Sequence, residues 1–436
     1  MVMSDIDSVK LFRNSAPYIN AHRGKTFVLM FGGEAIEDAN FANIISDIAL
    51  LNSLGVKLVL VHGARPQIDQ RIALRGVEKR FANNIRLTDK QTLESVKDAA
   101  GSVRSQIEAL LTMGLANSPM HGSQIRVCSG NLVVAMPMGV RDGVDYEHTG
   151  LVRRIDVEGI NDHLQDGSIV LLSPMGYSST GEVFNLSHED VATQAAIGLQ
   201  ADKLIIFSEH QGIIDESGKL CRNIDSAQLE GLLAGTDTHN QRAILHAIKE
   251  SLAEDIPRCH CVGYHQDGAL LQELFTRDGS GSLISKKHYE QLRQAKIEDV
   301  GGILQLINPL EEKGILVKRS RELLEAEIER FTLIERDGMV VACAAFYPYQ
   351  SEGTGELACV ATHPDYRGSS RGERLLEAIK QQAEQLGLTS IFVLTTVTAH
   401  WFQEQGFVQA DLPSLPESKK ELYNFQRNSK VFTLKF

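Results

Sequence analysis

The residues with the clearest chemical meaning lie between Arg367 and Gly372, where two arginines stand among small residues. Small residues leave backbone N–H groups open to an anion, and the helical pattern that follows adds the partial positive charge of a helix N-terminus. The arginines add two full positive charges. The stretch therefore predicts a cradle for a pyrophosphate, formed by Arg367, Gly368, Ser370, Arg371, Gly372 and Glu373.

The spacing Arg367-x-x-Ser370-x-Gly372 resembles the Arg/Gln-x-x-Gly-x-Gly/Ala signature of the GNAT N-acetyltransferases, with serine in place of the first glycine. Serine still presents its amide, although it takes positive φ less freely than glycine. A P-loop is excluded because no Gly-Lys-Ser or Gly-Lys-Thr follows, and a dinucleotide-binding turn needs an acidic ribose partner downstream. The resemblance implies acetyl-CoA as co-substrate and a GNAT α/β fold for this part of the chain.

In that fold, the apolar, β-prone strand at 355–362 lies beside the acetyl thioester. Amine acetylation needs a base for the ammonium, donors for the developing oxyanion and an acid for the thiolate. Glu356 is the expected base, and the backbone N–H groups of Cys359 and Val360 are the expected donors if the strand bulges there. An acylated Cys359 is the alternative, but no histidine is placed to activate it, so direct attack by the amine is preferred.

The acid that protonates the thiolate is less well defined. Many GNAT members use a tyrosine four residues before a Gly-Phe pair, and here that position is Phe402. Thr395, at the end of the neighbouring predicted strand, is the candidate donor. A plain β-prone strand residue is the alternative interpretation of Thr395.

Size and charge restrict the classes of function. With 436 residues and 43% hydrophobic content the chain can form two sizeable cores. A net charge of −12 and a pI near 5.6 argue against non-specific nucleic-acid binding. No apolar run reaches membrane-spanning length and the first residues lack a signal-peptide core, so we expect a cytoplasmic protein without membrane partners.

The cysteines predict neither a disulfide framework nor a metal site. Six of them are scattered along the chain. Cys259 and Cys261 flank His260 on a predicted strand, where residues two apart point the same way and usually pack. No second pair completes a metal site, so we expect no metal.

Buried apolar runs separated by helical patterns fill the first two-thirds of the chain. Strands are predicted at 26–31, 57–61, 125–127, 168–172 and 203–207, with helices at 8–20 and 43–51. Such an alternation predicts a mainly parallel sheet with helices on both faces. We expect this α/β sandwich to cover residues 1–285, a polar linker with helical character to cover 286–294, and the GNAT domain to cover 295–436.

The first domain resembles the amino-acid kinase family in four segments: FVLMFGGEAI, DIALLNSLGVKLVLVHGARPQI, NIRLTDKQTLESV and LLQELFTRDGSGSLI. Three departures remove the kinase chemistry. Met30 replaces the lysine before Gly-Gly, Ala64 and Arg65 replace two glycines of the second phosphate loop, and HNQRAILHA replaces a Gly-Gly-Met-x-Pro-Lys segment. We therefore expect a kinase fold without phosphoryl transfer.

Arginine-sensitive members of that family hold arginine between the N-terminal helix and the ELFT segment. The resemblance places an L-arginine effector among Tyr18, Glu273 and Gly279, with Glu273 facing the guanidinium. The alternative makes Tyr18 a helix staple and Glu273 a solvated surface residue.

An amino-acid-kinase-like domain fused before a GNAT domain resembles the family of bacterial N-acetylglutamate synthases over essentially the whole chain. The resemblance implies acetyl transfer from acetyl-CoA to the α-amine of L-glutamate, with L-arginine as feedback inhibitor, in a homo-oligomer that is a hexamer by resemblance. One alternative is a residual N-acetylglutamate kinase, against which Met30 argues. The other is a catalytically idle arginine and CoA sensor, against which Glu356 and the intact cradle argue.

Glutamate brings two carboxylates, so its site requires fixed cations. The resemblance places Arg319 and Arg427 on the substrate carboxylates and Ser429 beside them as a supporting hydroxyl; Cys359 and Leu394 complete the expected substrate contacts. Three further basic residues are open to interpretation as solvated surface charges, which we prefer for the last two: Lys419, Lys420 and Lys430.

Overall fold

The computed structural model of the chain describes residues 5–114, 118–236, 238–276, 278–286, 290–336, 338–367, 370–421 and 429–436. Of the predicted site residues, Gly368 and Arg427 lie outside these ranges. The chain divides into two compact units, residues 1–287 and 288–436. None of the helices in the described ranges combines the length and the apolar character needed to span a bilayer.

The first unit alternates helices and strands. Its helices are α1 (Asp5–His22), α2 (Gly33–Glu37), α3 (Phe41–Ser53), α4 (Arg65–Leu74), α5 (Lys90–Leu111), α6 (Val157–Gln165), α7 (His188–Gly198), α8 (Ser226–Gly235), α9 (His239–Ala253) and α10 (Ala269–Phe275). Its strands are β1 (Thr26–Phe31), β2 (Lys57–His62), β3 (Phe81–Ala82), β4 (Ile85–Arg86), β5 (Val127–Cys128), β6 (Val133–Pro137), β7 (Val140–Arg141), β8 (Val144–Asp145), β9 (Gly150–Ile155), β10 (Ile169–Leu172), β11 (Met175–Tyr177), β12 (Val183–Asn185), β13 (Lys203–Ser208), β14 (Asn223–Ile224), β15 (Cys259–Gly263) and β16 (Ser282–Ile284).

The main sheet of this unit has the order β14-β16-β15-β13-β1-β2-β10-β5 and is parallel except where β15 meets β16. Along the central strand β1, alternate side chains enter two different cores. Phe27, Leu29 and Phe31 pack in one cluster, whereas Val28 and Met30 pack in the other. Burial on both faces explains why the strand is apolar throughout. The predicted sandwich with a mainly parallel sheet is confirmed.

The second unit has its own sheet and helices. Its helices are α11 (Val300–Glu312), α12 (Arg321–Ala326), α13 (Arg371–Gln385), α14 (Ala399–Glu404) and α15 (Glu417–Glu421). Its strands are β17 (Glu290–Gln294), β18 (Phe331–Arg336), β19 (Met339–Tyr349), β20 (Thr354–Thr362), β21 (Ser390–Thr395), β22 (Val408–Ala410) and β23 (Lys430–Lys435).

Its sheet has the order β17-β18-β19-β20-β21-β23-β22 and is antiparallel except for the pair β20 and β21. Helix α13 connects these two parallel strands and covers one face of the sheet with Leu375, Leu376 and Ile379. Helices α11 and α12 cover the other face with Ile303 and Leu324, among others. The two parallel strands are therefore central and enclosed from both sides.

The structure corrects the predicted linker. Residues 290–294, which were expected to be a linker with helical character, form strand β17 and pair antiparallel with β18. The strand lies at the edge of the sheet, and its residues are exposed or half-buried. An edge strand needs no continuous apolar pattern, which explains why its polar sequence gave no strand signal.

Candidate active site

Strand β20 bulges where the oxyanion donors were expected. Cys343 pairs with Ala361 and Ala345 pairs with Ala358, so β20 advances three residues while β19 advances two. Cys359 has a φ of 52°, a left-handed conformation that non-glycine residues seldom adopt. A bulge of this kind takes backbone groups out of the regular ladder. The condition set for the oxyanion donors, a bulge at this position, is therefore met.

Strands β20 and β21 separate beyond Glu356. Their parallel pairing covers residues 354–356 and 390–392. Strand β20 then continues to Thr362 and β21 continues to Thr395. In the described part of the sheet, a gap thus opens between the carboxyl ends of two central parallel strands, next to the bulge. Ligands of α/β folds commonly bind at such a position.

Helix α13 begins at the far end of β20, and its first turn is open. Ser370 is its N-cap residue but makes no side-chain capping bond to the first turn. The N-terminal N–H groups of a helix have no partner within the helix. Arg367 is exposed directly before the gap in the described chain at 368–369. Arg367 and the first turn of α13 therefore keep the charge and the donors that a pyrophosphate requires.

The structure differs from the prediction at Arg371, whose guanidinium was expected to face the anion. Its Nε donates to Glu290 Oε1 at 3.0 Å, and one terminal nitrogen donates to the carbonyl of Tyr366 at 3.0 Å. Arg374 reaches the same carboxylate at 3.0 Å. Arg371 thus connects the first turn of α13 to strand β17. Since Arg374 and Arg336 share the single Glu290 carboxylate, this cluster keeps a net positive charge.

Gly372 is required for packing. A Cβ at this position would lie 2.9 Å from the indole of Trp401, on helix α14. Glycine therefore lets α14 approach the first turn of α13 closely. Glu373 follows in the first turn and is exposed.

Glu356 stands at the last paired row of β20 and β21, and its side chain is 7% exposed. Its carboxylate lies 2.7 Å from Nζ of Lys419, on helix α15. Lys419 is itself half-buried, so its interpretation as a solvated surface charge is wrong. Glu356 is not a charge at the edge of a sheet either, because β20 is central in the sheet. The structure brings a buried carboxylate to the mouth of the gap.

Arg319 lies on the same face of the sheet as Glu356 and Cys359. Burial opposes its charge, but the nearby Cys359 and Tyr347 raise the pKa of Arg319 above its ordinary value, so it stays a cation. Its backbone N–H donates to Glu311 at 3.0 Å, which fixes the segment before α12. A charged guanidinium therefore faces the region around the bulge.

Two further side chains define this region. The hydroxyl of Tyr347 donates to Glu327 at 2.6 Å, and burial together with this carboxylate raises the pKa of Tyr347. A hydrogen bond from the Cys343 thiol and the charge of Arg319 lower the pKa of Cys359, against the effect of burial. Cys343 is completely buried beside it. The face thus contains a carboxylate, an arginine, a lysine and a tyrosine.

Thr395 lies on the other face. Strand alternation puts it with Ile391 and Val393, which pack against α13, whereas Glu356 points the opposite way. Its hydroxyl oxygen accepts from the backbone N–H of Thr398 at 3.0 Å and lies 2.9 Å from the Thr398 hydroxyl. The structure therefore brings Thr395 to the end of β21 but not to the side of Glu356.

The remaining predicted residues fall on both sides of the gap. Leu394 packs with Phe392 on the face of Glu356. Ser429 directly precedes β23, whose first residue pairs with Thr395. Phe402 is 3% exposed and packs edge-on against Phe407, so this position supplies no proton donor.

In the first unit, Glu273 on α10 is buried rather than solvated, which corrects that alternative. One carboxylate oxygen lies 2.8 Å from Nδ1 of His260, and the other accepts the backbone N–H groups of Ser280 and Gly281 at 2.8 and 2.9 Å. Gly279 has a φ of 63°, and a Cβ there would lie 2.3 Å from the carboxylate. Glycine is thus needed for the loop to close over Glu273.

A hydrogen-bonded chain continues behind Glu273. Burial and the charge of Lys203 lower the pKa of His260 to about 4, so the imidazole is neutral at pH 7. Nε2 of His260 then accepts from Nζ of Lys203 at 3.2 Å, while Nδ1–H donates to Glu273. Helix α1 packs against α10 and brings Tyr18 one turn before His22, which contacts the Leu274 carbonyl at 2.9 Å.

Met30, which stands where a lysine was expected before Gly-Gly, helps to line a cavity of about 390 Å³ in the first unit. Arg65, which replaces a loop glycine, is 2.9 Å from the buried carboxylate of Glu189. The second phosphate loop still touches the first, since a Cβ at Gly63 would lie 3.1 Å from the Cα of Gly32. The two loops therefore remain in close contact, and the guanidinium of Arg65 is paired with Glu189.

Cys259 and Cys261 pack in one core cluster, as predicted, while His260 between them faces the opposite way to Glu273. Within the described ranges, no group of three or more side chains of the ligand types is arranged to hold a metal ion. The six cysteines are free thiols.

Two site residues escaped sequence reasoning. Lys419 stands in the run SKKE, which has no periodic or spacing signal, and no sequence motif points to Tyr347. The antiparallel register pairs Tyr347 directly with Glu356. Once the hairpin after β19 is aligned, this cross-strand pair is the signal that identifies Tyr347.

Comparison with known proteins matches residues 25–259 to the amino acid kinase family and residues 302–407 to the acetyltransferase (GNAT) family. The amino-acid acetyltransferase of Azotobacter vinelandii is 55% identical over 98% of this chain and 99% of its own length. The amino-acid acetyltransferase of Pseudomonas aeruginosa is 54% identical over the same shares, 98% and 99%.

Solved structures give the same result. N-acetylglutamate synthase from Neisseria gonorrhoeae, complexed with coenzyme A and L-arginine, is 35% identical and superposes with a TM-score of 0.90 over 98% of this chain and 99% of that chain. The same enzyme complexed with coenzyme A and N-acetyl-glutamate gives 36% identity and a TM-score of 0.63. With relatives of such identity along nearly its whole length, the chain belongs to the amino-acid acetyltransferase family.

Proposed function

We propose that the protein transfers the acetyl group of acetyl-CoA to the α-amine of L-glutamate, as an N-acetylglutamate synthase in the first step of arginine biosynthesis. The observation that supports this most strongly is the gap between β20 and β21. The bulge at Cys359 borders it, the buried carboxylate of Glu356 stands at its start, and the open first turn of α13 follows β20.

The gap suits a narrow, extended cofactor arm. The pyrophosphate would bind the loop from Arg367 to Glu373, with Arg371 holding that loop in shape through Glu290. The arm would then run between the separated strands, where the missing ladder bonds leave backbone groups for its amides. This path delivers the thioester to the bulge.

The substrate amine arrives as an ammonium. Glu356 takes one proton from it, directly or through a water, and the freed lone pair forms the new N–C bond to the acetyl carbonyl. The oxyanion accepts from the backbone N–H groups of Cys359 and Val360. When the intermediate collapses, the C–S bond breaks and the thiolate leaves with the electron pair. The nitrogen loses its second surplus proton and the thiolate gains one, so the products are the neutral amide and the free thiol of CoA.

Thr395 is the proposed proton donor to the thiolate. Its oxygen accepts the backbone N–H of Thr398, which leaves its own hydrogen for the thiolate at the end of β21. The exposed Thr398 hydroxyl then returns a proton from solvent to Thr395, so that neither hydroxyl is left as an alkoxide. Acid and base then stand on opposite faces of the sheet. This separation keeps the two protons from being exchanged directly between the two groups.

Arg319 and Arg427 are the proposed partners of the substrate carboxylates, with Ser429 and Leu394 beside them. Arg319 is a half-buried cation on the face of Glu356, which suits a carboxylate of a bound amino acid. Arg427 lies in the segment outside the described residues, so its role rests on the family resemblance alone. Glutamate offers two carboxylates to such cations.

L-Arginine is the proposed feedback inhibitor, bound in the first unit near Tyr18, Glu273 and Gly279. The burial and charge of Glu273 support this assignment. His260 and two backbone amides use part of the accepting capacity of its carboxylate, and a carboxylate has about four lone-pair sites in all. The solved relative complexed with L-arginine makes the same ligand the first choice.

We also propose that the enzyme is a cytoplasmic homo-oligomer, with a hexamer as the expected form. Free cysteines suit a reducing compartment. Phe12 on α1 is 73% exposed and Val9 is 49% exposed. An apolar edge of this kind is suited to contact a neighbouring subunit. Light scattering coupled to gel filtration measures the subunit number.

One assay tests the proposed activity. Purified protein is mixed with acetyl-CoA and L-glutamate, and thiol release is followed with a chromogenic disulfide, with and without L-arginine. We expect release that depends on glutamate and falls when arginine is added. Thiol release without glutamate dependence would refute the substrate, and no release with arginine binding retained would indicate a sensor. ATP consumption with N-acetylglutamate would indicate a kinase.

A further inference from the structure

Helix α15 places two adjacent lysines in different surroundings. Lys419 is 22% exposed, and its Nζ lies 2.7 Å from the carboxylate of Glu356, which is 7% exposed. Lys420 pairs with Glu417 at 2.8 Å, and that glutamate is 84% exposed. Lys420 forms a surface ion pair of little energetic weight, whereas Lys419 compensates a buried charge.

The contact between Lys419 and Glu356 conflicts with the proposed reaction. The substrate brings its own ammonium to the same carboxylate, so the two ammonium groups compete for one position. Lys419 therefore has to leave before Glu356 accepts a proton.

The chemistry of an α-amino acid indicates where the lysine goes. The α-carboxylate is bonded to the carbon that carries the α-ammonium, so it enters next to the position that Lys419 gives up. A lysine side chain has a flexible four-carbon stem and can shift without movement of its backbone. The substrate thus supplies a new anion for the cation that it displaces.

We propose that Lys419 is a specificity-determining residue, which occupies the place of the substrate ammonium in the empty site and pairs with the α-carboxylate once the amino acid is bound. The inference rests on the proposed function and extends it to a residue that the family motifs do not identify. It explains how a buried Glu356 keeps a counter-ion in both states. It also explains how the site distinguishes α-amino acids from other amines.

Arg319 does not replace Lys419 in this role. It comes from the segment before α12, and its charge is felt by Cys359 and Tyr347 as well as by Glu356. Its side chain donates to the Val317 carbonyl at 3.3 Å in its own segment. Among the described residues, Lys419 is the cation in contact with the Glu356 carboxylate, at 2.7 Å, so the substrate ammonium competes with Lys419 for it.

The test uses three ligands that differ by one group each. L-Glutamate has both carboxylates, L-glutamine lacks the γ-charge, and 4-aminobutyrate lacks the α-carboxylate. The KM for glutamate, and the inhibition constants of the other two against glutamate, are measured for the full-length wild type and for Lys419→Met. Lys420→Met is the matched control, and Lys419→Arg tests whether a cation restores the effect.

For Lys419→Met we expect the KM for glutamate and the inhibition constant of glutamine to rise roughly 10- to 100-fold, the value of one charge-assisted hydrogen bond. The inhibition constant of 4-aminobutyrate should stay within about twofold, because this ligand has no α-carboxylate to lose. Lys420→Met should match the wild type, and Lys419→Arg should recover most of the glutamate affinity.

Two results would overturn the assignment. Equal weakening of all three ligands would mean that Lys419 only supports the structure, and weakening of glutamate and 4-aminobutyrate but not glutamine would mean that it contacts the γ-carboxylate. Acetyl-CoA binding by calorimetry shows that each variant is folded. If Lys419→Met fails that check, Lys419→Gln, which can still donate to Glu356, has the same expected pattern. A wild type without glutamate-dependent thiol release would instead refute the proposed function.

Discussion

Replacement of Glu356 by glutamine is the sharpest test of the active site. Glutamine keeps the shape of the side chain, which matters because Glu356 is 5% exposed in the centre of the sheet. It removes the proton-accepting carboxylate. A positioned general base contributes roughly 10²- to 10⁴-fold to the rate, or about 3–5 kcal/mol at about 1.4 kcal/mol per decade. We expect kcat to fall by that factor.

Acetyl-CoA affinity should change little in this variant. Glu356 stands at the last paired row of β20 and β21 and points away from α13, whose first turn is the proposed pyrophosphate site. Thiol release gives kcat, and isothermal titration calorimetry gives the acetyl-CoA dissociation constant. Glu352→Gln is the matched control, because Glu352 is an exposed carboxylate in the turn just before β20.

A kcat for Glu356→Gln within about threefold of the wild type would eliminate this residue as the base. A similar loss in Glu352→Gln would assign the effect to net charge. Loss of acetyl-CoA binding would show that the variant damages the fold of the sheet, and the rate would then say nothing specific about proton transfer.

Three further predictions concern other parts of the chain. Gly372→Val should weaken acetyl-CoA binding by about tenfold or more, since a Cβ there would be 2.9 Å from Trp401. Calorimetry measures the dissociation constant, and Gly301→Ala is the control because a Cβ added at Gly301 would meet no atom within 4 Å. Glu273→Gln should raise the arginine concentration for half-inhibition by about tenfold without changing arginine-free activity, and unchanged inhibition would move the effector site elsewhere. Burial and Asp267 raise the pKa of Asp47 from 3.8 to about 7, so the folded state binds more protons between these values and loses stability as pH rises through them. Asp47→Asn should therefore stabilise the first unit on the order of 2 kcal/mol at pH 8 and less at pH 5, in urea unfolding; equal gains at both pH values would contradict the buried charge.

Local sequence pattern predicted much of the fold because the central strands are buried on both faces. The predicted strand at 26–31 matches β1, and the predicted helix at 8–20 lies within α1 (Asp5–His22). The predicted strand at 125–127 overlaps β5 (Val127–Cys128) at Val127 alone. The polar edge strand β17 was missed because it is not buried and so has no apolar pattern.

The sequence predicted those parts of the site that depend on neighbouring residues. It did not predict those that depend on pairing between distant segments of the chain. The candidate pyrophosphate loop follows from neighbouring residues, whereas the bulge at Cys359 was named only as a condition and is seen in the pairing of β19 with β20. The ion pairs of Glu356 with Lys419 and of Glu290 with Arg371 join segments far apart in the chain. Adjacent lysines have the same sequence signature, so only the folded structure shows that Lys419 pairs with a buried carboxylate and Lys420 with an exposed one.

The bulge in β20 also decides which way the rest of the strand faces. Ala358 and Cys359 are consecutive, yet both pack towards α11, and after them Val360 packs towards α13 and Ala361 towards α11 again. Without the extra residue, the parity of every later position would invert, exchanging the two hydrophobic sides. The backbone conformation of the bulge, which the proposed oxyanion donors require, is therefore linked to the packing of both faces of the sheet. Deletion of the extra residue would therefore disturb both hydrophobic clusters of the sheet as well as the bulge.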